Sequence, residues 1–239
     1  MGIAYGALKF FFEEGRRDPW RGKVLTLGKQ NIAFGSEGLQ QASIQYSYAL
    51  RSFSVGDVAS ELSDRAFFHA LGFSHIDSMD FSNYEGANIR HDLNDSNPPI
   101  DCYDAYDLVL DGGTMEHVFH LPNALQCIGK MVRVGGRIIH ISPMSNCVDH
   151  GFYCFSPTLF VDYYSANCFE IERIMYCRFD KDPSVDPWSC FDYDKSAMGI
   201  LDAGVYFLMA CVRKTPDSTV DHIPIQGYYR TEVWGGGKT

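Results

Sequence analysis

Short, almost wholly apolar runs alternate along this chain with stretches whose apolar residues recur at helical spacing. Residues 24–28 (Val-Leu-Thr-Leu-Gly) form the first persuasive run, after the turn signal Arg21-Gly22, and such a run suits a parallel strand buried on both faces. Further strands are expected over 74–81, 88–93, 106–112, 137–142, 169–179 and 203–214. Helices are expected between them. Residues 63–71 place Phe67, Phe68 and Leu71 inward and end at Gly72, a C-terminal cap residue. Pro122 opens a second helix in which Leu125, Ile128, Met131 and Val132 share a face, and Gly135-Gly136 ends it. Ser156 caps and Pro157 opens a third, with Leu159, Phe160, Tyr163 and Tyr164, and Asn167 stands at the left-handed position that closes it. Near the N-terminus, Ile3, Tyr5, Leu8, Phe11 and Phe12 fit one face of a short helix.

Five alternating strand and helix units followed by two late strands imply an α/β fold with a mostly parallel, doubly wound sheet. A length of 239 residues suits one such domain. Its expected extent is 1–214, with 35–62 as a lid or insertion, 180–202 as a loop insertion and 215–239 as a C-terminal extension. In sheets of this kind, ligands sit beyond the carboxyl ends of the strands, where the strand order reverses. The residues just after the first four strands therefore carry most of the functional information.

Charge and composition narrow the partners. A net charge of −10 runs against nucleic acid, whose binders need a basic surface to exchange for counterions. No apolar stretch approaches the length that crosses a bilayer, and the first twenty residues lack the features of a signal peptide. The expectation is a cytoplasmic protein whose eight cysteines stay reduced as small apolar residues. No metal is expected, because His117 and His120 stand three apart with no Cys or carboxylate pattern to complete a ligand set. The terminal Gly-Gly-Gly-Lys-Thr is no phosphate loop, since no strand precedes it and no helix follows.

The strand ends form an ordered set. Gly28 leaves backbone open to a ligand after the first strand. Asp80 ends the second, where a carboxylate accepts both hydroxyls of a ribose. Asp92-Leu93 follows the third, pairing an acceptor with an apolar surface. After the fourth comes Asp111-Gly112-Gly113-Thr114-Met115-Glu116-His117-Val118. A lone Gly or Asp at a strand end is usually turn chemistry; four in this order are harder to dismiss.

In this context Tyr-Asp-Leu-Val-Leu-Asp-Gly-Gly-Thr-Met-Glu-His-Val (106–118) resembles the fourth strand, and the Glu-His-Val after it, of class I S-adenosylmethionine-dependent methyltransferases. Residues 125–143 resemble that family's helix, Gly-Gly turn and fifth strand, and residues 151–171 are similar to the segment beyond it. The resemblance implies a Rossmann-like three-layer sandwich with a seven-stranded, mostly parallel sheet whose last strand is antiparallel. It also implies S-adenosylmethionine as cofactor. Gly28, Asp111 and Gly112 would lie at its methionine end, Asp80 on its ribose, and Asp92 with Leu93 about its adenine. The departure is in the first motif, where Thr26 takes the acidic position and Lys29, Gln30, Asn31 and Ile32 follow Gly28. A nicotinamide site fits worse, lacking both the Gly-x-Gly-x-x-Gly turn and its acid about twenty residues on.

Methyl transfer to a hydroxyl needs a group that removes a proton, and histidine is best matched to that task near neutral pH. His150, in a loop with Gly151 and aromatics, ranks before His117, and Glu116 serves as base or orienting acceptor. For His117 a plain helix-start role is an equal alternative. Tyr153 and Phe155 are expected to wall the acceptor, with core packing as the alternative. The expected activity is methyl transfer to an O or N atom of a small polar acceptor, such as a sugar or a surface-glycan or secondary-metabolite precursor. The alternative is a catalytically silent, methyltransferase-like binding or scaffolding domain.

Overall fold

Alternation within the strands decides which layer each residue serves. The computed structural model describes residues 2–51, 62–179, 188–194, 199 and 201–230. Along the chain lie β1 (Gly2–Ile3), α1 (Leu8–Arg17), β2 (Lys23–Leu27), β3 (Asn31–Ile32), α2 (Ser36–Gln45), α3 (Asp64–Leu71), β4 (His75–Asp80) and β5 (Ile89–Arg90). They continue as β6 (Tyr106–Gly112), α4 (Leu121–Met131), β7 (Val132–Ser145), α5 (Pro157–Ala166), β8 (Glu170–Phe179), β9 (Ser189–Asp192) and β10 (Val205–Arg213). Val24, Leu108, Leu110, Ile139 and Ile141 face one side and pack with Phe11 of α1, Leu39 of α2 and Phe67 of α3. Their neighbours Leu25, Val109 and Ile138 face the other, against Leu125 and Ile128 of α4 and Phe160 and Tyr164 of α5. A sheet buried between two helical layers is the three-layer α/β sandwich expected from a Rossmann-like chain.

Among the described residues the sheet has eight strands rather than seven, in the order β5-β4-β2-β6-β7-β10-β8-β9. Strands β5, β4, β2, β6 and β7 run parallel, and β10 inserts antiparallel between β7 and β8. The eighth strand, β9, falls within 180–202, where a loop was expected; it pairs antiparallel with β8, setting Cys190 opposite Cys177. Its four residues, between polar breaks, leave too short a run to show alternation. A separate parallel pair joins β1 to β3, so the chain after Gly28 enters a strand before α2 begins.

Local signals hold with small shifts. The Ser63 hydroxyl accepts from Ala66 N at 3.1 Å at the start of α3, and Gly72 ends that helix at φ 134°. Gly135 and Gly136 lie inside β7 rather than before it, with Gly135 at φ 79°. The left-handed residue after α5 is Cys168, at φ 56°. Asn167 is instead wholly buried, and its side chain bonds Thr219 and His222, tying down the start of the C-terminal segment. Of the expected lid over 35–62, α2 occupies 36–45, and residues 52–61 lie outside the described residues. Among the described residues, no helix is long and apolar enough to cross a membrane.

Candidate functional site

Register brings three of the expected cofactor residues abreast. Leu27 of β2 pairs with Met79 of β4 and with Asp111 of β6, so the next residues, Gly28, Asp80 and Gly112, stand side by side at the carboxyl edge. Gly28 holds φ 70°, which favours glycine, and its N–H donates to Met79 O at 2.7 Å. Asp80 is half-buried, and its Oδ1 accepts from Ser82 N at 3.3 Å. Phe81, the following residue, is 71% exposed and offers a flat apolar face beside that carboxylate.

Three other expected contacts sit differently. Asp92 is exposed and closes its own turn, accepting from Asn94 N at 2.9 Å and Asn94 Nδ2 at 2.7 Å. Those bonds hold its carboxyl below the usual carboxylate range. Leu93 is buried in the core with Met79 and Leu125 and presents little surface to a ligand. Asp111 is fully buried. Its Oδ1 accepts from Thr114 N at 3.0 Å and Met115 N at 3.1 Å; its Oδ2 accepts from His140 Nδ1 at 2.9 Å and Ser142 Oγ at 3.3 Å. The other nitrogen of His140 then accepts from the Tyr164 hydroxyl at 2.6 Å. This carboxylate has spent its acceptor capacity on the fold, and holds the turn after β6 onto β7 and α5.

Sequence reasoning missed Gln30. It is 2% exposed, and its Nε2 donates to Leu27 O at 3.0 Å and Gly28 O at 3.3 Å. Its Oε1 is buried with no hydrogen-bond partner and lies 2.5 Å from where a Cβ on Gly112 would stand. A glutamine therefore fills the space between the two strand-end glycines, and only glycine at 112 leaves room for it. In the sequence Gln30 stands out only as one of the four residues after Gly28 that depart from the resembled motif.

The three expected catalytic residues converge. Glu116 lies in the single 3-10 turn Met115–His117 after β6, with no exposed surface and no hydrogen-bond partner for Oε1 or Oε2. His150 Nε2 stands 3.5 Å from Glu116 Oε1, and His117 Nε2 stands 4.0 Å from the same oxygen. The two rings lie 5.6 Å apart, and both side chains are about half exposed. Burial, with the nearby Asp111 charge second, pushes the Glu116 carboxyl up to about 8. Burial and then the neighbouring His150 ring lower the His117 imidazole below its ordinary value.

The loop carrying His150 is fixed against that turn. Phe152 N donates to Glu116 O at 2.7 Å, and a Cβ at Gly151 would lie 2.7 Å from the same oxygen. Asn146 and Asp149 take left-handed conformations at φ 59° and 62°, which these residue types tolerate. Beside the cluster, exposed Phe119 and Phe152 pack edge to face at 5.7 Å, and the Tyr153 hydroxyl donates to Phe119 O at 2.7 Å. Phe155 is 2% exposed and packs on Phe160. The exposed aromatic surface beside the cluster is thus Phe119 and Phe152, with Tyr153 bracing it, while Phe155 belongs to the core.

No family model matches the chain, and no curated protein matches it. Among solved structures, it is similar to a putative methyltransferase from Bacillus halodurans, at 7% identity over 87% of this chain and 98% of that one, with a TM-score of 0.47. It is similar to the N-methyltransferase NodS from Bradyrhizobium japonicum, at 10% identity over 88% and 94%, TM-score 0.45. A third is the 1,6-didemethyltoxoflavin-N1-methyltransferase of Burkholderia thailandensis, solved with S-adenosylhomocysteine, at 13% identity over 89% and 79%, TM-score 0.42.

Proposed function

We propose that this chain is an S-adenosylmethionine-dependent methyltransferase acting on an O or N atom of a small polar acceptor. The observation that carries the reading is the convergence of Glu116, His117 and His150 just beyond the edge formed by Gly28, Asp80 and Gly112. A fold and a glycine-and-carboxylate edge alone would support only a nucleoside-binding domain. A proton-handling cluster, begun by Glu116 in the turn after Gly112 and completed by His150 from the loop after β7, adds the second half of a transfer site.

The residues fit the cofactor at two points. Asp80 offers a carboxylate at the strand end for ribose hydroxyls, with Phe81 beside it for an adenine face. Gln30 Oε1 is an unsatisfied buried acceptor at the methionine end, suited to an ammonium donor, and stands in for the missing acid at Thr26. S-adenosylmethionine, when bound, supplies a methyl group on a sulfonium that is displaced in line by a nucleophile. Phe119 and Phe152 hold the acceptor, and Glu116 orients the histidines. With the cofactor bound, His150 Nε2 would take the proton that the acceptor hydroxyl gives up when the methyl group is transferred to it.

One observation favours a second reading. Gln30 closes the space between Gly28 and Gly112 and uses the carbonyls of Leu27 and Gly28, as it would in a silent domain that no longer admits cofactor. The experiment that tests the first reading is turnover with labelled S-adenosylmethionine over hydroxyl and amine acceptors, in wild type and His150→Asn. For a hydroxyl acceptor the variant should lose about a hundredfold to ten-thousandfold in turnover, with cofactor affinity unchanged. Wild-type turnover in the variant would remove His150 from the transfer step.

A further inference from the structure

We propose that Glu116, His117 and His150 form a binding site for one divalent transition-metal cation. Each residue offers one ligand atom, and the three atoms lie within 4.8 Å of one another. The Glu116 oxygen is 3.5 Å from one imidazole nitrogen and 4.0 Å from the other. Bonds of about 2.0–2.2 Å in a tetrahedral site put ligand atoms roughly 3.3–3.6 Å apart, so the Glu116–imidazole distances need a shift of only tenths of an ångström, while the two imidazole nitrogens, which lie within 4.8 Å, close by rotation of half-exposed side chains.

The second observation is the state of Glu116 itself. Its carboxylate has no exposed surface, and neither oxygen has a hydrogen-bond partner. A buried carboxyl group without a hydrogen-bond partner is costly in either protonation state, and this one faces two imidazole nitrogens. A cation among the three atoms supplies the missing charge partner. The other acid-and-sulfur cluster, Glu14, Glu172 and Cys211, differs on this point: Arg17 and Arg173 reach Glu14, and Arg213 pairs with Glu172.

The ligand types select the cation. Two imidazoles and one carboxylate suit zinc, iron, cobalt or nickel, whereas magnesium and calcium prefer oxygen alone. Three protein ligands with both histidines half open to solvent leave coordination positions free, as in sites that bind a substrate or water rather than in closed structural sites. The frame is already set by the Phe152 N–Glu116 O bond and by His150 N donating to Cys147 O at 3.2 Å. The inference goes beyond the methyltransferase reading and does not rest on it. If both hold, His150 would be a ligand rather than the base, and a cation held by the three residues would lower the pKa of the acceptor's hydroxyl so that its proton passes to solvent.

The test is calorimetry on the tag-free, chelator-treated full chain, titrated with zinc and separately with magnesium. The expected result is one zinc per chain and no magnesium binding at the same concentrations. Glu116→Gln, His117→Asn and His150→Asn should each weaken zinc by more than about a hundredfold, since loss of even an outer-shell partner costs about 10–100-fold. His222→Gln, at a histidine that bonds Asn167 and Thr219 rather than the cluster, should match wild type. Absence of zinc binding, or binding undiminished in folded variants, overturns the proposal. Where a variant fails to fold, cobalt-loaded wild type decides: a visible d–d spectrum without a thiolate charge-transfer band supports the site, and a thiolate band or no spectrum overturns it. S-adenosylmethionine titrated into the metal-free protein separately reports whether the cofactor reading stands.

Discussion

Oε1 of Gln30 lies 2.5 Å from the position a Cβ on Gly112 would take, so the glutamine and the glycine form a single fitted contact at the strand-end edge. The contact gives the two functional readings opposite consequences. If Gln30 Oε1 receives the cofactor's ammonium, Gln30→Ala should weaken S-adenosylmethionine by roughly 1.5–3 kcal/mol, the scale of a hydrogen bond to a charged group. If Gln30 instead blocks the cleft, the same substitution should strengthen binding. Calorimetry on the two proteins reads the sign directly, and we expect weakening.

The buried chain Asp111–His140–Tyr164 should behave as part of the fold. Tyr164→Phe removes the donor to His140 Nε2 and leaves that nitrogen buried and unsatisfied. The expected loss of stability is about 1–3 kcal/mol, with cofactor affinity nearly unchanged. Denaturant unfolding followed by calorimetry on the folded variant separates the two. A stable variant with lost affinity would return Asp111 and its partners to the ligand site.

Much of the architecture was legible because buried parallel strands are dense apolar runs and the helices carry caps and periodic faces. Val24 to Leu27, Tyr106 to Gly112 and the Ser63 and Ser156 caps emerge as read. The short edge strand β9 was not legible, since four residues carry too little pattern. Among site residues, Glu116, His117 and His150 were each chosen on local context, yet their meeting depends on a turn and a loop distant in sequence. At the sequence level a metal is weighed only for His117 with His120, because the approach of His150 to Glu116 and His117 is invisible without the fold. Asp111 shows the limit of strand-end reading, because such an aspartate looks the same in sequence whether it faces a ligand or, as its bonds to Thr114 and Met115 show, caps the next turn.

Acid stability should report on Asp18. Burial alone would raise its carboxyl, but the charge of Arg137, the bond from Arg213 and the charge of Arg21 together bring it below its ordinary value. A carboxylate lowered in the folded state adds stability that is present above the unfolded value near 3.8 and is lost as pH falls through the folded value. Asp18→Asn should therefore cost about 1 kcal/mol at neutral pH, given its partly exposed pairing. The gap between variant and wild-type melting temperatures should close towards about pH 2. A gap that persists there would assign the effect to packing.

The central claim is that the edge formed by Gly28, Asp80 and Gly112 binds S-adenosylmethionine, and calorimetry of the wild-type chain with that cofactor tests it most directly. The account predicts one site per chain and a melting temperature that rises with ligand, by about 2.7 kcal/mol of added stability at a hundredfold excess over Kd. Asp80→Ala should keep the fold and weaken the same binding by roughly 1.5–3 kcal/mol. No heat and no shift at millimolar cofactor in the wild-type chain would contradict the claim and leave the silent-domain reading.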